Sequence, residues 1–194
     1  MRTCLLLILL VSTVEAAPVA GLAPVKKAHI ETTANVHISA VSSRILGVGR
    51  LGITEGLDAG LALGLGLGDA SGVTVGIPSR WQVLSQSETN GIARITSDFW
   101  FGVTQASPEI HTSLSATASA THARRMMGLP LELRLTAGAL VLIQDHPDLK
   151  DTTDVYPVIL GGLGGWVYEG WQCSLEGGLG AGSGQINVEA SLQF

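Results

Sequence analysis

The side chains able to do chemistry in this 194-residue chain fall into three sets. The first is a scatter of charges of both signs: Arg50, Arg80, Arg94 and Arg134 against Glu31, Asp58, Asp98, Glu132, Glu176 and Glu189. A mixed inventory of this kind suits a buried interior whose members neutralise one another. The same charges could instead line a narrow ion path. The second set is His29, Glu31 and His37. A metal needs three or four converging ligands. The two histidines stand roughly 26 Å apart in an extended chain, so they cannot share one. His111 and Asp98 could meet across neighbouring strands in an ordinary hydrogen bond. The third set is Asp145, His146, Asp148, Asp151 and Asp154. Oxygen ligands at short spacing suit calcium, but the spaced pattern with its fixed glycine is missing. An acid beside a histidine also suits a hydrolase. No serine sits in a nucleophile motif, however, and a plain solvated acidic loop is the third reading. No residue is assigned as catalytic, cofactor-binding or metal-ligating. The glycine-rich stretches open no helix, so they are not phosphate loops.

What positions the charges is a sequence period of two. The last nine residues, Ile186-Asn187-Val188-Glu189-Ala190-Ser191-Leu192-Gln193-Phe194, alternate apolar and polar without a break. Successive side chains of a strand point to opposite faces, so this is a strand with one greasy and one wet side. The alternation recurs back to residue 29. In the first strand, His29 to Ala40, Ile30, Thr32, Ala34, Val36 and Ile38 oppose His29, Glu31, Thr33, Asn35 and His37. Further strands are expected at about Arg44–Thr54, Leu57–Gly68, Val73–Leu84, Gly91–Val103, Ile110–Thr121, Leu131–Ile143, Val155–Val167, Trp171–Gly182 and Gln185–Phe194. The third is the plainest, with Leu57, Leu61, Leu63, Leu65 and Leu67 on one side and little but glycine on the other. Pro78 weakens the fourth, since proline cannot donate to a ladder. All ten inventory charges fall on the polar face. About ten strands, with eight as the alternative, give an even count, as up-and-down closure requires.

The turns Thr54-Glu55-Gly56 and Tyr168-Glu169-Gly170 are short. The connections at 85–90 and 122–130 are longer, and the second carries Arg124-Arg125-Met126-Met127. These four could contact lipid or peptidoglycan, or form a solvated connection. The longest loop is 144–154.

Composition narrows the class. Charged residues make up 14% of the chain and the formal net charge is −5, which argues against a nucleic-acid partner. Residues 1–16 read as a secretory signal peptide: Arg2, an apolar core from Cys4 to Val14, and small residues up to a cut after Ala16. Residues 17–28, with two prolines and no period, read as a flexible lead-in, and 29–194 as the barrel. Cys173 is then the one cysteine left, so no internal disulfide forms. It lies on the apolar side and reads as a small hydrophobe.

Alternation alone does not say which face is inside. Three features place the apolar face outward, against lipid. The polar face is rich in Gly, Ser and Thr, whereas a soluble surface needs many charges. The strand charges come in both signs. Aromatics gather near strand ends, with Trp166, Tyr168 and Trp171 around one turn and Phe99, Trp100 and Phe101 along the fifth strand. Interfacial girdles look like this.

On these residues the chain resembles the small bacterial outer-membrane β-barrels, of the OmpA/OmpX-like, OmpW-like or porin kind. The terminal strand ending in Phe194, with Leu192 two places before it, is similar to that family's signal to the barrel-assembly machinery. Gly52 to Leu61 is similar to its strand–turn–strand phrase. The resemblance implies an all-β transmembrane up-and-down antiparallel barrel in the outer membrane of a Gram-negative bacterium. It also implies periplasmic chain ends, an external 144–154 loop, no cofactor, and membrane lipid and the assembly machinery as partners. A non-enzymatic structural or surface-interaction role with a largely filled polar interior is expected. A narrow small-solute or ion channel is the alternative, and a hydrolase at the rim the second alternative.

Overall fold

The structure is a computed structural model. It describes residues 25–39, 43–67, 71–106, 109–126, 129–145, 151–168, 171–180 and 183–193. The proposed signal peptide lies outside them. Ten strands form: β1 (Ile30–Ser39), β2 (Ser43–Thr54), β3 (Leu57–Leu67), β4 (Gly72–Leu84), β5 (Arg94–Ala106), β6 (Glu109–Met126), β7 (Leu129–Asp145), β8 (Thr152–Tyr168), β9 (Trp171–Gly180) and β10 (Ser183–Gln193). Each pairs antiparallel with its chain neighbours, and β1 closes on β10. The barrel therefore has ten strands, not the alternative eight. Ile30 and Gln193 lie at one end, here the terminal mouth; Ser39 of β1 and Ser43 of β2 lie at the other, distal mouth.

The alternation translates directly into two faces. Along β3, Leu61, Leu63 and Leu65 are 68%, 65% and 57% exposed, while Ala62 between them is 1% exposed. The same outward row continues through Val73, Val75 and Ile77 of β4, Leu133 and Leu135 of β7, and Leu175 and Leu179 of β9. Each such side chain in water forgoes about 1.5–3 kcal/mol of burial energy. No soluble monomer carries an apolar belt around its whole girth. The solvent of this face is hydrocarbon, and the fold is a transmembrane barrel. Closure also removes every sheet edge, which a lipid medium demands of a spanning sheet.

Pro78 sits within β4 and its cost is visible. The β3–β4 ladder pairs Ala59 with Ser79 and resumes at Ala62 with Gly76, leaving Ile77 and Pro78 without β3 partners in register. On its other side Pro78 stays opposite Trp100 of β5.

The connections differ from expectation. β5 begins at Arg94, not Gly91, because Asn90 and Gly91 have φ of 55° and 81° in succession. Two left-handed residues break an extended chain. Residues 85–93 instead form a turn tied by Gly91 N–H to Gln86 O at 2.8 Å and by Thr89 Oγ1 to Ala93 O. The Ser85 amide and hydroxyl both donate to Glu88 Oε2, at 2.5 and 2.6 Å, and hold that carboxyl below the usual glutamate range. The 122–130 connection is mostly strand, since β6 runs to Met126 and β7 starts at Leu129. The acidic loop also shrinks: Asp145 ends β7, and Asp154 lies in β8 opposite Leu142.

The lead-in was expected to be flexible to residue 28, but its last four residues are tied down. Val25 is 1% exposed, and its amide donates to Asp58 Oδ2 at 2.9 Å. Ala28 N–H reaches Gly52 O at 2.9 Å and Gly52 N–H reaches His29 O at 3.0 Å. A Cβ at Gly52 would stand 2.0 Å from Lys26 O, so only glycine lets the lead-in lie this close.

Candidate functional site: the barrel interior

The strand register turns the scattered charges into one chain of ion pairs. Glu31 of β1 stands opposite Arg50 of β2, Asp58 of β3 opposite Arg80 of β4, and Arg80 opposite Asp98 of β5. Signs alternate strand by strand. Side chains directly opposite on one face are the closest neighbours a sheet provides. Arg50 Nη1 reaches Glu31 Oε1 at 3.1 Å and its Nε stands 3.9 Å from Asp58 Oδ1. Arg80 then lies 3.8 Å from Asp58 and 3.2 Å from Asp98. Arg134 of β7 continues the chain, at 3.4 Å from Asp98 and 3.2 Å from Glu176 of β9. Every member is buried.

Three uncharged residues that the sequence did not single out join the two halves: Ser119, Thr136 and Gly162. β6 contributes no charge to this chain, and Ser119 fills the gap: its Oγ donates to Asp98 Oδ2 at 3.2 Å and accepts from Arg134 Nη2 at 3.1 Å. Thr136 completes this node, with its hydroxyl 2.9 Å from that of Ser119. β8 contributes Gly162, which pairs with Arg134 on one side and Glu176 on the other. A Cβ at Gly162 would meet Glu176 Cγ at 2.4 Å. Gly162→Val is therefore expected to split Arg134 from Glu176 and lower the urea midpoint of the refolded barrel by about 2–4 kcal/mol equivalent. Gly161→Val, one step away with nothing within 4 Å of its Cβ, is the control and should leave the midpoint unchanged.

Arg94 and Glu132 pair at 3.2 Å nearer the terminal mouth and are a little more open. Glu189 is 3% exposed on β10, opposite Asn35 and Ser174. Apart from Glu176 at mid-strand, the other nine sit in the half of their strand nearer the terminal mouth.

The distal half of the interior is mixed: buried polar residues such as His37, Thr74, Thr104, His111, Ser113, Gln185 and Asn187 share it with apolar clusters that the expectation of a polar interior did not include. Leu46, Val48, Ala62 and Trp100 form one buried apolar cluster, and Leu140, Leu142, Val158 and Leu160 another. Trp100 corrects the girdle reading: it is 5% exposed and points inward, while Phe99 and Phe101 face lipid. Its indole donates to Ser113 Oγ at 2.9 Å. Gly76 and Gly102 make room for it, since a Cβ at either would fall within 2.5 Å of the ring. Trp81 and Trp171, by contrast, are 54% and 45% exposed on the lipid face.

The other candidate constellations do not assemble. His29 is exposed and its Nδ1 lies 3.0 Å from Lys27 O. His37 is buried beside Asn187 Oδ1 at 2.7 Å, at the far end of β1 from Glu31. His111 pairs across with Thr104 and lies 2.9 Å from Glu109, so it does not meet Asp98. No group of three or more His, Cys, Asp or Glu among the described residues could hold a metal. Asp145, Asp151 and Asp154 are exposed, and His146 and Asp148 lie outside the described residues. Of the assembly-signal residues, Leu192 sits between Thr32 and Trp171 in register, and Phe194 lies outside the described residues. Cys173 is exposed on the lipid face.

No family model matches the chain, and no curated protein does. Solved structures do. The N-terminal β-barrel domain of OprF from Pseudomonas aeruginosa aligns at 12% identity over 87% of this chain and 98% of its own, with a TM-score of 0.39. The KdgM porin aligns at 12% identity over 84% and 99%, with a TM-score of 0.43. Omp33 of Acinetobacter baumannii aligns at 8% identity over 90% and 100%, with a TM-score of 0.37. The likeness is one of chain course alone.

Proposed function

We propose that this chain is an integral outer-membrane barrel with a structural or surface-interaction role, non-enzymatic, whose interior is closed rather than open to solutes. The observation that carries this reading is the unbroken ion-pair chain from Glu31 to Glu176, which spans β1 to β9 with no member more than 8% exposed at its side chain. Beyond it the two apolar clusters stand beside buried polar residues such as His37, Thr74, Thr104 and Asn187, and Val25 reaches Asp58 from the terminal mouth. Narrow barrels are filled by their own side chains. In this reading the chain is exported by its signal peptide, and the assembly machinery acts on its last strand.

A second reading, a narrow small-solute or ion channel, draws on the polar wall of β9 and β10. There the Gln172 side-chain amide, Ser174 Oγ, Asn187 Nδ2 and Glu189 Oε2 are buried without a hydrogen-bond partner among the described residues. Liposome swelling separates the two. Vesicles loaded with refolded barrel should swell in small sugars and amino acids no faster than empty vesicles. Swelling that scales with the amount of folded barrel would replace the first reading by the second.

A further inference from the structure

We propose that the distal end of β8, from Thr152 to Tyr156, is a docking edge for an extended basic peptide, which adds to the sheet as a further strand. Closure covers every edge within the span, but above the span one edge returns. β8 keeps its ladder with β7 all the way out, from Val158 opposite Gly138 to Thr152 opposite Gln144. On its other side the ladder with β9 stops at Ile159 opposite Leu179. β9 ends at Gly180, and β10 sets out from Ser183, paired back onto Gly180. Thr152 to Tyr156, roughly 13 Å of strand, therefore stands beyond the β9–β10 hairpin with no strand partner on that side among the described residues. Alternate residues along it turn their backbone N–H and C=O groups toward the open side. Asp151 and Asp154 are exposed, so this stretch lies in water rather than in hydrocarbon.

The molecule treats its overhang at the terminal mouth differently. There β6 outruns β5, and their ladder ends at Arg94 opposite Thr121. The 85–93 turn covers the backbone so exposed: Gln86 Nε2 donates to Ala123 O and Gln86 Oε1 accepts from Ala123 N–H, both at 3.3 Å, as a neighbouring strand would. Ile92 O stands 2.5 Å from His122 Nδ1. Nothing among the described residues does this for β8. Lysine, a common guard of free edges, is missing from the overhang. Thr152, Thr153 and Val155 are exposed and branched at Cβ, which suits an added strand. Pro157, with no N–H to give, sets the barrel-side limit of the pairing. Charge selects the occupant. Asp145 ends β7 and Asp151 and Asp154 belong to the overhang, while Gly138–Asp145 and Thr152–Val158 carry no lysine or arginine. Across residues 145–154, Asp145, Asp148, Asp151 and Asp154 outnumber Lys150. A strand bearing lysine or arginine meets opposite charge here, whereas a second copy of β8 would set aspartate against aspartate. Such a peptide is the partner class for the surface-interaction role proposed above, on which this assignment rests.

Fluorescence anisotropy of a short labelled peptide of alternating lysine and threonine, titrated with barrel refolded into phosphatidylcholine nanodiscs, tests the proposal. A heat-shift gel confirms folding of each variant first, and empty nanodiscs give the background. The peptide should bind saturably. Its glutamate–threonine counterpart should bind roughly tenfold more weakly, and so should the lysine peptide on Asp151→Asn with Asp154→Asn, a loss that two exposed ion pairs allow. Methylating every backbone nitrogen of the lysine peptide keeps its charge, removes its N–H donors and should abolish binding, since main-chain hydrogen bonds hold an added strand. Binding no stronger than to empty nanodiscs would overturn the proposal. So would equal binding of the methylated peptide, or an aspartate variant that folds and binds as before. Barrels that pair with one another and leave the peptide unbound would give the edge to a second copy and overturn it too. Bilayer conductance is untouched by any of these results, so the closed lumen stands or falls separately.

Discussion

Replacing Arg80 by methionine is expected to cost about 3–5 kcal/mol of barrel stability, read as a lowered urea midpoint on a heat-shift gel. Arg80 is 1% exposed and stands between Asp58 and Asp98. Removing it strands two carboxylates in a place where neither can reach bulk water, and the cost is their desolvation rather than the lost attraction. Asp58 retains Arg50 at 3.9 Å and the Val25 amide at 2.9 Å, and Asp98 retains Arg134 at 3.4 Å and Ser119 at 3.2 Å. Those partners keep the loss finite. A companion change separates the two explanations. Arg80→Met together with Asp98→Asn removes one of the stranded charges and should recover a substantial part of the loss. If the single variant is as stable as the unaltered barrel, the pairs are wet and the interior is not the closed one described above.

Trp100→Ala should cost a similar amount, about 3–5 kcal/mol, while Phe101→Ala should cost well under half of that. The two residues are adjacent on β5 and both aromatic, but they face different solvents. Trp100 is packed across Gly76 and Gly102, which have no side chains to move into the space it leaves, and its loss also removes one of the two partners of the Ser113 hydroxyl. Phe101 faces hydrocarbon, and a lipid chain takes up the vacated volume. Unfolding of both variants by urea from the same detergent makes the comparison. Equal losses would mean that the inward assignment of Trp100 is wrong.

The third strand, where leucine alternates with glycine, told its two faces apart without help, because only a period of two separates such sets. The inner position of Arg50, Arg80 and Arg134 followed from the same parity. What parity could not tell was who meets whom. Register depends on the turns, and a change of one residue in the 85–93 turn would have set Arg80 against a different residue of β5. Ser119 and Gly162 belong to the ion-pair chain only through that register, so nothing in their own neighbourhood marked them. The inward leucines escaped for another reason. In Ala139-Leu140-Val141-Leu142-Ile143 both faces are apolar, so alternation vanishes where the interior itself is greasy. Trp100 sits in a run of three aromatics, and parity alone would have turned it inward. The available sign was on other strands' faces, in the inner glycines Gly76 and Gly102 left empty for a large neighbour. β6, β7 and β8 run beyond the ends their sequence predicts, because polar residues such as His122, Arg124 and Asp154 read as loop. At the rim of a membrane barrel a strand can leave the hydrocarbon and continue in water with its ladder intact, as the pairing from Thr121–Arg134 through Met126–Leu129 does.

The most direct test of a closed, ion-paired interior is single-channel recording of the refolded barrel in a planar bilayer, with folding confirmed by heat-shift gel. The ion-pair chain and the two apolar clusters predict a silent membrane at any voltage the bilayer tolerates. Discrete conductance steps whose size or ion selectivity changes on Arg134→Glu would contradict them, and would show that ions travel along the very charges assigned here to seal the lumen.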